Sequence, residues 1–464
     1  MQLFHRSASV SATFDDTNLV SAAGLVPVMA IAAATGLGEL AEKHLHLPGH
    51  FGANAGLKVT ALVAGMVAGA DSIDDMALLR HGGMKKLFAG AYAPSTLGSF
   101  LRTFTFGHVR QLDATAWRWL VRLAGTAPIV AGIDDYALVD IDDTIKEVHG
   151  YQKQGSGFGY SGVRGLNALL GIVSTPTAAP IIIGSRLRRG AAGSPRGAKR
   201  FVADILATVR RLRSSTATGL VLLRADSAFY GHAVAAAAHR AGAKVSITVR
   251  MDSAVKRAIG TIAEDDWTTI QYTNAILDEA TGNWISSAEV AEIPFTAFSS
   301  RTTSERIPGR LVVRRIPELN PKEAAGQPTL FDTHRFHAFF TTSTLDTITA
   351  DKTHRGHAII EQINADLKDS ALAHLPSGIF TANAAWLVLA TIAFNLSRAA
   401  GTLAGTELGK ARSGTLRRKI ITIPARISTS ARKLVLHLPA HWPWETGWTA
   451  LFAAACGPPQ SATT

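Results

Sequence analysis

Three aspartates crowd one short stretch of this chain, ALVDIDDTIKEVHG from Ala137 to Gly150. Asp140, Asp142 and Asp143 accompany an apolar run of Ala137, Leu138, Val139 and Ile141. The pattern predicts a buried strand whose last turn delivers carboxylates to a sheet edge. Carboxylates there lose hydration and repel one another, and a divalent cation offsets both costs most directly. Side chains alternate along a strand, so Asp140 and Asp142 share one face while Val139 and Ile141 share the other. A polar strand end running into a loop accounts for the same residues without any chemistry.

A second acid stands in the same relation to a strand. In TGLVLLRADSAFYG, Leu220 to Leu223 form the buried run, Arg224 follows and Asp226 emerges at the end. A third comes from a helical stretch, DKTHRGHAIIEQINADLKDSALAHLP. At about 100° per residue, His354, His357, Glu361 and Lys368 fall on one stripe, beside an apolar face of Ile360, Ile363 and Leu367. Two histidines and an acid suggest zinc, but the HExxH order is missing, and a solvated stripe is the plainer explanation when nothing converges on it. Here two strand-end acids do.

The elements that must position these residues follow from texture. Leu19 to Gly38 is uncharged and apolar, but Asp15 and Asp16 precede it and Pro27 interrupts it, so it predicts a core helix rather than a signal or a membrane span. The helical pattern continues to about Thr126. Within it, Ser95 or Thr96 is placed to cap a helix carrying Arg102, His108 and Arg110, an element suited to lying on DNA or to forming part of a bundle. The Gly-rich run from Gly155 to Gly165 lacks the strand–loop–helix context of a nucleotide site. LNALLGIVSTPTAAPIIIGSRLRRG predicts two strands of a meander, turned at Pro176 and Pro180. Arg186 to Arg213 holds nine basic residues and one acid, Asp204, a phosphate-tracking surface if it faces a groove and a solvated face if it does not. AVAAAAHRAGAK and VSITVR complete a β-α-β rhythm. From about Met251 to Pro328 alternating Thr, Ser, Ile and Val predict a β-rich inserted subdomain with turns at DEATGN and NPKEAAGQ. Trp267, Tyr272 and Trp284 within it are core or hairpin packing by default and nucleobase platforms second.

Composition bounds the function. The 464 residues are 47% hydrophobic and 18% charged, a globular balance with ample core. Forty-seven Lys and Arg against 35 Asp and Glu leave a net charge of +12, which favours a polyanionic partner such as DNA or an acidic membrane surface. A single cysteine, Cys456, excludes an intrachain disulfide framework and a cysteine-rich zinc module, and fits a reducing cytosol.

With these residues in hand, the chain resembles the DDE transposases of bacterial insertion sequences. Asp142, Asp143 and Thr144 match the first-acid D-x-T form, Asp226 in RADS the second acid, and Glu361 the third. That family's C-terminal signature is a tyrosine, two residues, an arginine, three residues, a glutamate, six residues and a lysine. Glu361 and Lys368 keep its spacing, while His354 and His357 stand where the tyrosine and arginine would be, with Arg355 nearby as a substitute phosphate clamp. The likeness extends to the LP that follows, to Asn383 and Trp386, and to the PAR and HWPW segments near the end.

The resemblance implies an α/β fold: an RNase H-like mixed sheet flanked by helices, interrupted by a β-rich insertion and preceded by a helical N-terminal domain. On that pattern residues 1–125 bind DNA, 126–250 and 336–400 form the catalytic core, 251–335 the insertion and 401–464 a basic C-terminal region. It implies a catalytic and metal-binding triad of Asp142, Asp226 and Glu361 holding two Mg²⁺ ions, with Mn²⁺ able to substitute. In-line displacement at phosphorus uses two such ions ~3.5–4 Å apart, and magnesium accepts hard oxygen ligands from separate elements. Asp142 would bridge both ions, and Asp226 and Glu361 would each complete one site. Lys368, Arg355, His357, His354, Trp267 and Trp284 are the expected DNA contacts. The partners implied are double-stranded DNA, as terminal inverted repeats and target, and a second copy in a synaptic homodimer. No membrane is implied; the setting is cytoplasmic and nucleoid-associated.

A rival reading rests on the same aspartates. DIDDT matches the DxDxT motif of haloacid dehalogenase-type phosphohydrolases letter for letter, with Asp140 as nucleophile and Asp142 as acid/base. That family's later acidic pair is missing after Asp226, and a chain of net charge +12 suits DNA better than a small phosphate ester. A DNA-binding repressor descended from a transposase would need only the N-terminal helices and basic surfaces, and its hallmark would be a broken triad.

Overall fold

The computed structural model describes residues 10–88, 90–279, 283–317, 334–430 and 433–457. A short strand, β1 (Leu19–Val20), leads into helices α1 (Leu25–Ala34), α2 (Leu37–His44), α3 (Ala55–Ala68), α4 (Pro94–Arg102) and α5 (Phe106–Thr126). The apolar segment at Leu19 is thus a strand followed by a buried helix, ended at Gly36, whose φ of 70° suits glycine. The single helix expected to carry Arg102, His108 and Arg110 is two. Pro94 starts α4 behind Ala93, so neither Ser95 nor Thr96 is the cap, and Thr105 and His108 exchange hydrogen bonds as the capping box of α5.

The central sheet begins with β2 (Tyr136–Glu147) and continues through β3 (Gly157–Phe158), β4 (Arg164–Ser174) and β5 (Ile181–Arg189). Helix α6 (Ala198–Leu212), strand β6 (Leu220–Ala225), helix α7 (His232–Arg240) and strand β7 (Lys244–Thr248) follow. Five strands stand in the order β5-β4-β2-β6-β7: β4 is antiparallel to both β5 and β2, whereas β2, β6 and β7 are mutually parallel. The glycine run is a packing device. Gly157, Gly165 and Gly190 meet backbone to backbone, leaving no room for a Cβ at Gly190.

Strands β8 (Thr268–Asp278), β9 (Asn283–Ala297) and β10 (Ile307–Pro317) account for the alternating segment, and β11 (His334–Thr341) follows it. They lengthen the central sheet, since β11 pairs with β7 and β10, β9 and β8 follow outward. The expected NPKEAAGQ turn lies outside the described residues, as do Ala280 to Gly282 of DEATGN.

Helices cover both faces of the sheet. Along β4, Leu166, Ala168, Leu170 and Ile172 pack beneath α9 (Ile359–Lys368) and α10 (Phe380–Leu403), whereas Leu169 and Val173 join Phe201, Val202 and Ile205 of α6 on the other side. Strands buried on both faces read as continuous apolar runs, which is why β4 shows no alternation. Helix α8 (Thr347–Arg355) precedes α9, and the two are broken by a 3₁₀ turn at Gly356–Ala358. The long single helix expected across His354 to Lys368 is therefore not formed.

Helix α10, of 24 residues, is apolar enough to cross a membrane, yet 89% of its apolar window is buried inside the fold. It runs between the N-terminal helices and the sheet. The closing elements are β12 (Ala425–Ser430), β13 (Lys433–His437) and α11 (Glu445–Cys456), and β1 pairs with β12, so both ends of the chain share one core with α1 to α5.

Candidate active site

The site is built on the register of two parallel strands. Asp140 lies opposite Arg224 and Ile141 opposite Ala225, the last rung of the β2–β6 ladder. One residue further on, Asp142 and Asp226 leave that ladder together. Asp142 is not at a strand end, as the apolar run suggested, because β2 continues to Glu147 beside β4. It is β6 that stops, opening one side of β2 to solvent. Asp226 then caps a 3₁₀ turn, Oδ1 accepting the Ala228 amide hydrogen at 3.1 Å.

The two carboxylates face a groove of about 1240 Å³ whose walls include Lys146, Tyr160, Arg250 and Lys368. Burial pushes the Asp142 carboxyl up to about 6, and the charge of Asp226 adds to that. Burial likewise raises Asp226, with Asp143 contributing. Paired carboxylates with elevated proton affinity are the electrostatic signature of a site that favours a positive charge between them.

Helix α9 forms one wall. Asn364 Nδ2 donates to Asp142 Oδ2 at 2.8 Å, and Asn364 Oδ1 is buried without a hydrogen-bond partner. Lys368, one turn further, lies close enough that Asp142 raises its proton affinity, against the larger lowering by burial and Lys146. Glu361 is exposed on the same helix. Its position, three before Asn364 and seven before Lys368, puts it on the arc of α9 that carries those two. Among the described residues no three His, Cys, Asp or Glu side chains close on one point.

Asp140 sits on the same face of β2 but is wholly buried. Arg224 grips it at two points, Nε to Oδ1 and Nη2 to Oδ2, both at 2.7 Å, and His357 Nδ1 lies 3.0 Å from Oδ1. Burial works against its charge, but Arg224 and His357 outweigh it and hold its carboxyl below the ordinary aspartate value. A carboxylate with both oxygens engaged and no solvent access cannot attack a phosphate ester, which removes the phosphohydrolase reading of DIDDT. Asp143 points to the other face, where Arg188, Asn167 and Ser194 hold it.

The remaining expected contacts divide. His357 faces Asp140 and favours the charged forms of both Asp142 and Asp226. His354 turns away because the 3₁₀ break changes the helical register. Its ring nitrogens lie 2.8 and 3.0 Å from the Ser246 and Thr248 hydroxyls, its ring stacks on Phe339 at 4.0 Å, and burial lowers its pKa to about 3. That is a packing role in place of the expected phosphate contact. Arg355 pairs with Asp351 at 2.8 Å. Trp267 packs under Arg315, 4.4 Å from its ring, and beside Phe336, in keeping with the default packing role. The Trp284 side chain lies outside the described residues.

Residues that motif reasoning passed over are Asn364, hidden between Glu361 and Lys368, and the aromatics Phe158 and Tyr160 of the glycine run. The latter line the groove with relative exposures of 64% and 110%. Their signal was two aromatics amid glycines, where neither a helix nor a core needs them.

Among curated proteins none matches this chain. The family model for the transposase DDE domain, group 1, matches residues 3–455, nearly the whole length. With Asp142 on β2 and Asp226 just past the end of β6 in one groove, and a net charge of +12, the chain belongs to that family of transposases, enzymes that cleave DNA and transfer its strands.

Proposed function

We propose that this transposase binds the terminal inverted repeats of its own insertion sequence and cuts and rejoins DNA through Asp142, Asp226 and Glu361. The observation that carries the reading is the β2–β6 register, which sets the first two acids side by side where β6 ends. Glu361 completes the set from the exposed arc of α9.

A divalent cation fits these residues: the donors are hard carboxylate oxygens, burial above all and the charges of neighbouring aspartates have raised both Asp142 and Asp226, and the buried Asn364 Oδ1 beside them lacks a partner. Bound Mg²⁺, two ions by resemblance and replaceable by Mn²⁺, supplies Lewis-acid stabilisation of the attacking and leaving oxygens. The chain's own residues do the rest. Asn364 fixes the rotamer of Asp142, Lys368 offers a point charge to a DNA phosphate, and Arg355 and His357 are kept as DNA contacts on the resemblance alone.

The strand order β5-β4-β2-β6-β7 supports an RNase H-like core, with β8 to β10 as its insertion between the second acid and Glu361. We assign end recognition to the helices before residue 126, action as a homodimer when two ends are brought together, and a cytoplasmic, nucleoid-associated setting. The test is cleavage of a duplex carrying the element's end by the purified protein in MgCl₂. Asp142→Asn, Asp226→Asn and Glu361→Gln should each abolish cutting while binding persists. Cutting by all three variants at the unmodified rate overturns the assignment.

A further inference from the structure

A second groove lies on the far side of the loop that borders the active site. It runs between α6 and α7, about 440 Å³ in volume. Its lining between the charged residues is apolar, Leu206 and Ala237 buried at the bottom and Ala203, Ala207 and Ala241 higher up, and its rim is made of Lys199, Arg200, Arg210 and Arg240. All four rim cations are exposed. Asp204, the one acid on α6, is engaged by Arg186 at 2.9 Å and Arg200 at 3.2 Å, which leaves the rim strongly positive.

The basic run from Arg186 to Arg213 thus separates into two sets. Arg186 and Arg188 are consumed internally by Asp113, Asp204 and Asp143. Lys199 and Arg210 project outward from α6 and are joined by Arg240 from α7, a residue outside the run.

Two further observations name the occupant. The groove and the catalytic one flank a single loop: Gly190 to Pro195 line the active-site groove, Gly197 lines this one, and exposed Arg196 stands between them. Helix α6, with 15 residues, extends about 22 Å at 1.5 Å per residue, which matches six or seven base pairs at about 3.4 Å each. A lining of alanines around one buried leucine leaves room for a bulky polyanionic ridge, and a rim of long, flexible cations can neutralise its phosphates.

We propose that the α6–α7 groove holds the sugar–phosphate backbone of duplex DNA that continues, past the Gly190–Gly197 loop, from the segment seated in the active site. Its contacts are to phosphates, so it extends the footprint and affinity without reading sequence. This rests on the DNA-cleaving reading above, but a binding measurement tests it independently of chemistry.

The experiment uses the full chain and a fluorescent duplex long enough to cover both grooves, with affinity measured by anisotropy across a salt series. Lys199→Ala, Arg210→Ala and Arg240→Ala are combined; Arg200 is kept because it also holds Asp204. Removing one cation–phosphate interaction lowers the slope of log K against log salt by about 0.9, so removing three lowers it by about 2.7. The expected result is that flattening together with unchanged cleavage of a short duplex ending within the active-site groove. A slope and affinity equal to the unmodified protein's overturn the proposal. So does an equal flattening in a control triple variant with Arg257, Arg306 and Lys352, exposed cations elsewhere on the fold, replaced by alanine. Failure of the catalytic reading would appear instead as metal-dependent cutting that survives Asp142→Asn.

Discussion

Asp140 and Arg224 face each other across the parallel β2–β6 ladder, two residues before Asp142 and Asp226, in a two-point ion pair at 2.7 Å on both arms. Arg224 Nη1 also donates to the Thr353 carbonyl, and His357 reaches Asp140, so the pair ties both acid-bearing strands to the break between α8 and α9.

Removing one partner should strand a buried charge. Asp140→Asn is expected to cost about 3–5 kcal/mol, whereas the double variant Asp140→Leu with Arg224→Met should recover much of that stability. Urea unfolding of the three proteins checks this. A double variant less stable than Asp140→Asn would mean that the pair contributes more than a similar volume of apolar packing.

Asp142 predicts a pH dependence of opposite sign to that of an ordinary paired acid. Its folded pKa, about 6, is above the ordinary value of 3.8, so the folded state holds this proton more tightly than the unfolded chain. Stability from this group is complete below the lower value and is lost as pH rises through the window to about 6. The effect is on the order of 1–3 kcal/mol, discounted because the carboxyl faces a groove. Asp142→Asn should flatten this fall in metal-free protein, and Mg²⁺ should raise the melting temperature more at pH 7 than at pH 5. Differential scanning calorimetry at both pH values is the measurement.

Glu361 is exposed and Asp142 is not, which separates their variants. Glu361→Gln should leave the melting temperature unchanged while slowing Mg²⁺-dependent cleavage on the order of 1000-fold, as loss of several kcal/mol of charge stabilisation requires. Parallel melting and cleavage assays distinguish this from a solvated stripe residue, whose replacement would alter neither.

Gly190 has no space for a side chain, because the backbones of Gly157 and Gly165 occupy the position of its Cβ. Gly190→Ala should push β3 away from β4 and disturb the groove wall carrying Phe158 and Tyr160, destabilising the fold by more than about 1 kcal/mol. Gly162→Ala, at a glycine with open space but a φ of 69°, carries only the smaller backbone strain. The two unfolding midpoints rank these effects.

The residues that sequence alone determined are those whose neighbours in the chain decide their environment. Asp226 was legible because Leu220 to Leu223 bury the strand before it, and the β4–β5 meander because apolar runs and prolines act locally. The alternating β8 to β10 were legible in kind for the same reason. Tertiary structure decided whatever depends on a partner far along the chain. Asp140, Asp142 and Asp143 are one chemical type within four residues, yet Arg224 makes the first a buried strut, the stop of β6 opens the second to a groove, and Arg188 ties down the third. The break at Gly356–Ala358 sends His354 to Ser246 and Thr248 while His357 keeps to Asp140. Periodicity could not register that, because a turn of 3₁₀ helix costs little locally and is fixed by packing against a sheet built some hundred residues earlier. The basic run likewise became part ion-pair network and part open rim only when α5 and α6 packed against β5 and brought Asp113 and Asp204 to Arg186.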